Sequence, residues 1–369
     1  MSVFEELVGQ ADAVAALQRA VAGDGMTHAW LFTGPPGSGR SVAARAFAAA
    51  LLCPGGGCGH CGSCSQVLAG SSADVVVVRP AGLSISVEEA RDVVRRAALA
   101  STRDGWHVVL VEDADRLTER AANVWLKAIE EPAARAVFLL CAPSADELPP
   151  TIRSRCRLVV LQLPSADAVA GVLERSGIDR GMAAWAARAA QGHVGWAKAL
   201  ARDEGARMQR EEALRLPSRV GTVGEALAAA ADLVAASEDD AARRTKPAAA
   251  EETTAFTEVM GKGRGTAGLY TDLAKRQKSR ETRAKRDTLD RALLDLVAWY
   301  RDVLSVQLAT GAELVHGDQA GEIVRHAEST SPESTLRRVQ AVLDCREAVA
   351  ASVTPLLAVE QMALSLRTG

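Results

Sequence analysis

The chain has 369 residues, room for two or three cores at about 100 to 200 residues per domain. Its formal net charge of −3 excludes a global basic field that would draw nucleic acid by itself, and scarce aromatics with abundant alanine favour helices over sheet sandwiches. No apolar run reaches the ~18 residues of a membrane span, and the acidic start Met1-Ser2-Val3-Phe4-Glu5-Glu6 lacks the basic region of a signal peptide, so a cytoplasmic protein with no membrane contact is expected.

In chain order, the first strong element is the apolar run His28-Ala29-Trp30-Leu31-Phe32-Thr33, which reads as a buried parallel strand. It feeds Gly34-Pro35-Pro36-Gly37-Ser38-Gly39-Arg40-Ser41, and the alanine-rich stretch Ser41 to Leu52 then favours helix. Strand, glycine loop and helix in that order form a phosphate cradle. Gly34, Gly37 and Gly39 let backbone N–H groups converge on phosphate oxygens, and Ser41 is placed to hold Mg²⁺. The pattern demands lysine at position 40, where this chain has Arg40. A planar guanidinium does not enter a site shaped for a compact ammonium, so impaired hydrolysis is expected.

Seven cysteines follow an uneven distribution, with Cys141, Cys156 and Cys345 isolated. Cys53, Cys58, Cys61 and Cys64 form C-x4-C-x2-C-x2-C inside a Gly/Pro-rich insertion, a spacing that lets four thiolates surround one tetrahedral structural Zn²⁺. His60 is the one nearby substitute ligand, and with all four positions filled no open site is left for catalysis.

Beyond the insertion, Asp74-Val75-Val76-Val77-Val78-Arg79-Pro80 reads as a second strand and Ser86 to Ala97 as a capped helix. His107-Val108-Val109-Leu110-Val111 is a third, ending in Glu112-Asp113 where a P-loop fold handles metal and attacking water. Thr118 to Glu131 predicts a helix stopped by Pro132, and Ala136 to Cys141 a further strand. Alternating strands and helices imply a parallel sheet covered on both faces, with phosphate at its carboxyl edge.

From about Pro164 the pattern is helical throughout. Residues 166 to 215 break at Gln191-Gly192-His193-Val194-Gly195, which suggests a small lid domain. Residues 241 to 287 hold twelve Lys/Arg against six Asp/Glu and read as a flexible charged loop or partly helical excursion. Their densest part, Lys275 through Arg286, is a lesser candidate for non-specific contact with DNA phosphates or an acidic partner. Amphipathic helices are expected again over Leu289 to Leu308 and within Leu336 to Leu366.

Taken together, Phe4-x3-Val8-Gly9-Gln10, the strand from His28, the P-loop, the four cysteines, Leu126-Lys127-x2-Glu130-Glu131-Pro132 and Ser154-Arg155-Cys156 resemble the AAA+ clamp-loader subunits of bacterial DNA polymerase III. The likeness covers nearly all of residues 1 to 215 and, more loosely, 288 to 369. It implies an α/β P-loop domain at 1–164 with the four-cysteine zinc insertion at 53–64, a helical lid at 165–215, a charged insertion or linker at 216–287 and an all-α collar at 288–369.

Within the family, gamma/tau subunits hydrolyse ATP and the delta prime branch is largely a rigid ring member, which this chain resembles more. Besides Arg40, Glu112-Asp113 stands where the active pattern has Asp-Glu, Cys141-Ala142-Pro143 replaces a polar sensor, and Gly195 replaces the arginine of a second sensor. These departures disfavour turnover and leave binding of ATP/Mg²⁺ to its own loop open. The retained Ser154-Arg155-Cys156 implies that Arg155 is an arginine finger acting on a neighbouring subunit's site. The implied partners are gamma/tau and delta-like subunits in a hetero-oligomeric ring, and through it the sliding clamp and primer-template DNA. Two alternatives stand beside this reading: an ATP-hydrolysing gamma/tau-like subunit in which Arg40 serves as the lysine, and a zinc-dependent DNA-binding module on a decayed NTPase scaffold.

Overall fold

A computed structural model describes residues 2–80, 84–97, 105–261 and 266–369. The chain divides into two compact units, Met1–Ala201 and Arg202–Gly369.

The first unit opens with α1 (Ala11–Val21), β1 (Ala29–Thr33) and α2 (Arg40–Leu52). α3 (Gly62–Ala69) closes the cysteine insertion, and β2 (Val75–Val78), α4 (Val87–Ala97), β3 (His107–Val111), α5 (Glu119–Glu130) and β4 (Ala136–Ala142) follow. A short α6 (Pro150–Arg153) leads to β5 (Arg157–Val160), and α7 (Ala166–Arg175), α8 (Arg180–Ala189) and α9 (Val194–Arg202) complete the series. The five strands lie in the order β2-β3-β4-β1-β5 and every pairing is parallel, with Trp30 flanked by Leu139 and Arg157.

Alternation along the central strands explains why both faces need helices. Trp30, Phe32, Val108, Leu110, Leu139 and Cys141 point into one core with Phe47 of α2 and Leu17 of α1. Leu31, Val109, Val111, Phe138 and Leu140 point the other way, onto Trp125 and Ile129 of α5 and Val93 of α4. Each such large side chain stabilises the unit by about 1.5–3 kcal/mol through burial. Trp30 and Phe47 meet edge to face with centroids 4.9 Å apart. β5 has no counterpart in the sequence reading: Leu158 and Val160 are exposed and Val159 is buried, as suits a strand at a sheet edge.

The second unit comprises α10 (Glu204–Arg215), α11 (Val223–Met260), α12 (Ala267–Gln307), α13 (Ala320–Ser329), α14 (Pro332–Ala350) and α15 (Pro355–Thr368). Leu293, Leu296, Trp299, Tyr300 and Val303 of α12 form its core with Val342 of α14 and Val359, Met362 and Leu366 of α15. The helix expected from Leu289 therefore begins at Ala267, and the charged stretch 241 to 287 is helical almost wherever it is described, residues 262–265 lying outside the described part.

Two devices keep that stretch ordered. Thr222 and Glu225 form a capping box at the start of α11. The two long helices then clasp each other: Gln277 donates to the Ala249 carbonyl at 3.0 Å, Phe256 meets Tyr270 edge to face, and Arg280 pairs with Glu252. Pro247 sits inside α11, where it removes one backbone donor without ending the helix. Several cations here are paired within the chain, Arg243 and Arg244 with Asp240 and Lys285 with Glu238 and Glu281. That pairing reduces the charge a phosphate-binding surface could draw on.

Candidate functional site

The phosphate loop has the backbone its glycines promise. Gly34, Gly37 and Gly39 have φ of 151°, 94° and 89°, and Gly39 caps α2, which places free N–H groups at a helix start. A Cβ on Gly37 would lie 2.8 Å from His193 Cβ, so this glycine is fixed by space as well as by φ. Gln10, quoted above only as part of a motif, clips the loop from the side. Its Nε2 donates to the Gln162 carbonyl at 2.6 Å and to the Ser38 carbonyl at 3.4 Å, and its Oε1 accepts from the Gln162 N–H at 3.2 Å.

Arg40 does not reach outward into this cradle. Its Nη1 donates to the Gly34 carbonyl at 2.8 Å, folding the guanidinium back onto the loop. Glu112, just past β3, is engaged by two other arginines: Arg45 bonds Oε1 and Arg79 Nε lies 2.9 Å from Oε2. Neither arginine was singled out in the sequence, because they lie 67 and 33 residues away from Glu112 along the chain. Asp113 adopts left-handed backbone, φ 56° and ψ 56°, at the start of the tight turn 114–116. Beside it Asp115 carries a raised carboxyl pKa, set first by burial and then by the Asp113 charge, with Arg40 opposing. Cys141 is buried beneath the loop against Ser41, and burial pushes its thiol up, so it stays neutral there.

Arg155 lies elsewhere, on the loop after α6. Ile152 and the half-buried Cys156 hold that loop in the core on either side, which turns the intervening Arg155 outward. Its Nη1 donates to the Thr151 carbonyl at 2.8 Å and to Ser154 Oγ at 3.2 Å, and its Nη2 lies 2.6 Å from Glu130 Oε1 at the end of α5. The side chain remains 38% exposed. Thus the structure brings Gly34, Gly37, Gly39, Arg40, Ser41, Glu112 and Asp113 to one edge of the sheet and leaves Arg155 with a separate set of contacts.

The four cysteines do converge. All four sulfurs lie within 4.8 Å of one another, with Cys53–Cys58 at 3.6 Å and Cys53–Cys61 at 3.7 Å. A tetrahedral ion with Zn–S bonds of about 2.3 Å needs sulfur separations of about 3.8 Å, so the donor set fits zinc. Cys53 ends α2 and Cys61 caps α3, so two helix termini aim the ligands. At Cys53 burial opposes ionisation, yet the N–H groups of Cys58, Gly57 and Gly55 outweigh it and hold the thiol down to about 6. Burial and the neighbouring thiols push Cys64 up to about 12, a shift that a bound dication would reverse. His60 turns to the Cys58 carbonyl at 2.9 Å and stays outside the cluster.

A parallel sheet in this order, with a glycine loop between its β1 and α2 and acidic residues after β3, is the AAA+ form of the P-loop fold. Residues 9–165 match the protein family described as DNA polymerase III, delta subunit. Over these residues the chain is similar to DNA polymerase III clamp-loader subunits.

It is 39% identical over 147 residues to the DNA polymerase III subunit delta′ of Pseudomonas aeruginosa, covering 38% of this chain and 45% of that one. It is 31% identical over 176 residues to the subunit tau of Bacillus subtilis, covering 47% and 31%. The chain thus spans less than half the length of either relative. A crystal structure of a DNA polymerase III, gamma subunit-related protein from Thermotoga maritima aligns over 97% of this chain and 99% of that one, at 16% identity and a TM-score of 0.46. Among the described residues no helix is long and apolar enough to cross a membrane.

Proposed function

We propose that this chain is a delta prime-like subunit of a DNA polymerase III clamp loader, a rigid ring member that does not fire its own triphosphate and lends Arg155 to a neighbour's ATPase site. The observation that carries the reading is that two polar groups its own hydrolysis would need are engaged by other groups of the chain. Arg40 is bonded to Gly34 and Glu112 to Arg45 and Arg79, whereas Arg155 stands at an exposed edge. The reading places gamma/tau-like and delta-like subunits beside it in a cytoplasmic, hetero-oligomeric ring. Residues 165–215 act as lid and 288–369 as collar, with the charged segment 216–287 between them. The ring loads the sliding clamp on primer-template DNA.

The chemistry assigned to Arg155 is electrostatic. As a phosphoryl group transfers, negative charge spreads over its equatorial oxygens, and a planar guanidinium brought to them lowers the barrier by a factor of roughly 10³ to 10⁵ in rate. At its own loop the glycine N–H groups and Ser41 remain able to meet phosphate oxygens, and Mg²⁺ would find Ser41 there, with Glu112 already taken. The Cys53, Cys58, Cys61 and Cys64 set would hold Zn²⁺ as a structural ion, supplying folding energy to the insertion rather than reactivity.

Reconstitution with gamma/tau-like and delta-like subunits tests this. Arg155→Ala should leave assembly intact and abolish most clamp-dependent turnover at the adjoining site. Strong ATPase activity of the isolated chain that Arg40→Ala removes would instead make it a self-sufficient hydrolase. Tight DNA binding by the isolated chain that chelation removes would make it a zinc-dependent DNA-binding module.

A further inference from the structure

Glu130 occupies a position that helix energetics disfavour. It is the last residue of α5 and Glu131 follows it, so two acids sit at the negative end of the helix dipole, where cations are preferred. Lys127 in the last turn offsets this in part, and the guanidinium of Arg155 does so directly, 2.6 Å from Glu130 Oε1. A local rule broken in favour of one long-range contact marks a functional constraint more often than a packing one.

The three acceptors around Arg155 are not equivalent. Thr151, in the short α6 just before it, and Ser154, on the arginine's own loop, are its near neighbours in the chain, so they set its orientation. Glu130 reaches it from a different element and supplies the single anion among the three. Both partners are well exposed, 38% and 45%, so the ion pair lies in high dielectric and is weak enough to exchange. A phosphate oxygen can take the place of the carboxylate oxygen on Nη2 while the contacts on Nη1 persist.

We propose that Glu130 is a positioning residue for Arg155: a carboxylate in cis that occupies the guanidinium until the triphosphate of the neighbouring subunit displaces it. This rests on the trans role of Arg155 proposed above and adds to it the group that competes for the arginine. Loss of Glu130 frees the guanidinium, so ATP in the neighbouring site gains the arginine without competition. At saturating ATP the exchange is complete with or without Glu130, and the chemical step is unchanged.

The experiment uses the reconstituted ring and measures KM for ATP and kcat for wild type, Glu130→Gln, Glu130→Asp, Arg155→Ala and the double variant. Glu130→Gln should lower KM by roughly 1.5- to 5-fold, the span set by an exposed ion pair, with kcat unchanged. Glu130→Asp, which keeps the charge, should return KM towards wild type, and the double variant should match Arg155→Ala. Thermal melting of the isolated chain checks folding, which Glu130→Gln should preserve because it removes an acid from the negative helix end.

An unchanged KM in Glu130→Gln, or a kcat that falls with it, overturns the exchange while leaving the trans role of Arg155 standing. Full turnover in Arg155→Ala overturns the trans role itself and the exchange along with it.

Discussion

Arg40 and Arg155 are both arginines on loops beside the same sheet, and their surroundings differ in one respect that decides their chemistry. Arg40 is half-buried and bonded to the backbone of its own loop, in a region where Arg45 and Arg79 both pair with Glu112. Arg155 is held by two acceptors within four residues of it in the chain and one exchangeable carboxylate, with much of its surface open. A guanidinium sequestered by its own fold stabilises that fold. One presented at an edge is available to another molecule.

The difference can be broken or sharpened experimentally. The largest effect is expected at Arg155: lysine keeps the charge but loses the planar fork, so Arg155→Lys should lower turnover in the assembled ring by on the order of 10²-fold, measured at saturating ATP. Removing zinc should come next. Chelation should release about one Zn²⁺ per chain and destabilise the insertion by a few kcal/mol, read as a lower melting temperature, because ligand binding and local folding are one process there.

At the inward site, Gly37→Ala must adopt φ 94° and meet His193 Cβ at 2.8 Å. A loss of about 2 kcal/mol in urea unfolding is expected, with the Arg155 function retained in rings that assemble. Arg40→Lys should release the Gly34 carbonyl and give a compact ammonium to the cradle. About tenfold tighter ATP binding by calorimetry, or ~1.4 kcal/mol, is expected without appreciable turnover, since Glu112 stays paired.

The smallest effect concerns Asp115, whose pKa is raised in the fold. A raised carboxyl pKa means that the folded state binds protons more tightly than the unfolded one. Its contribution therefore improves as pH falls from above the folded pKa towards the unfolded value near 4. Asp115→Asn should flatten that slope and stabilise the fold at pH 7, checked by unfolding titrations between pH 4 and 8.

Much of this arrangement was legible from residue patterns, for reasons that differ by element. Strands β1 to β4 are continuous apolar runs because helices cover both sheet faces, so Val75 to Val78 and Ala136 to Ala142 could hardly be anything else. β5 escaped because an edge strand needs only one buried residue, Val159, and begins with Arg157. The charge and the proline at 247 masked the continuity of α11, where contacts from α12 override local propensity.

At the site, the glycine loop and the four cysteines were readable because their chemistry depends on short spacings. The clasp of Glu130 on Arg155 and the double pairing of Glu112 were not, since only the fold brings those residues together. Gln10 shows the same limit, meeting Gln162 across 152 positions of chain.

The most direct measurement is single-turnover hydrolysis in an assembled ring where the site adjoining this chain is the one competent for ATP. With Arg155→Ala the rate should fall at least about 10³-fold while the ring and its bound nucleotide remain. A rate equal to that of the wild-type ring would contradict the account.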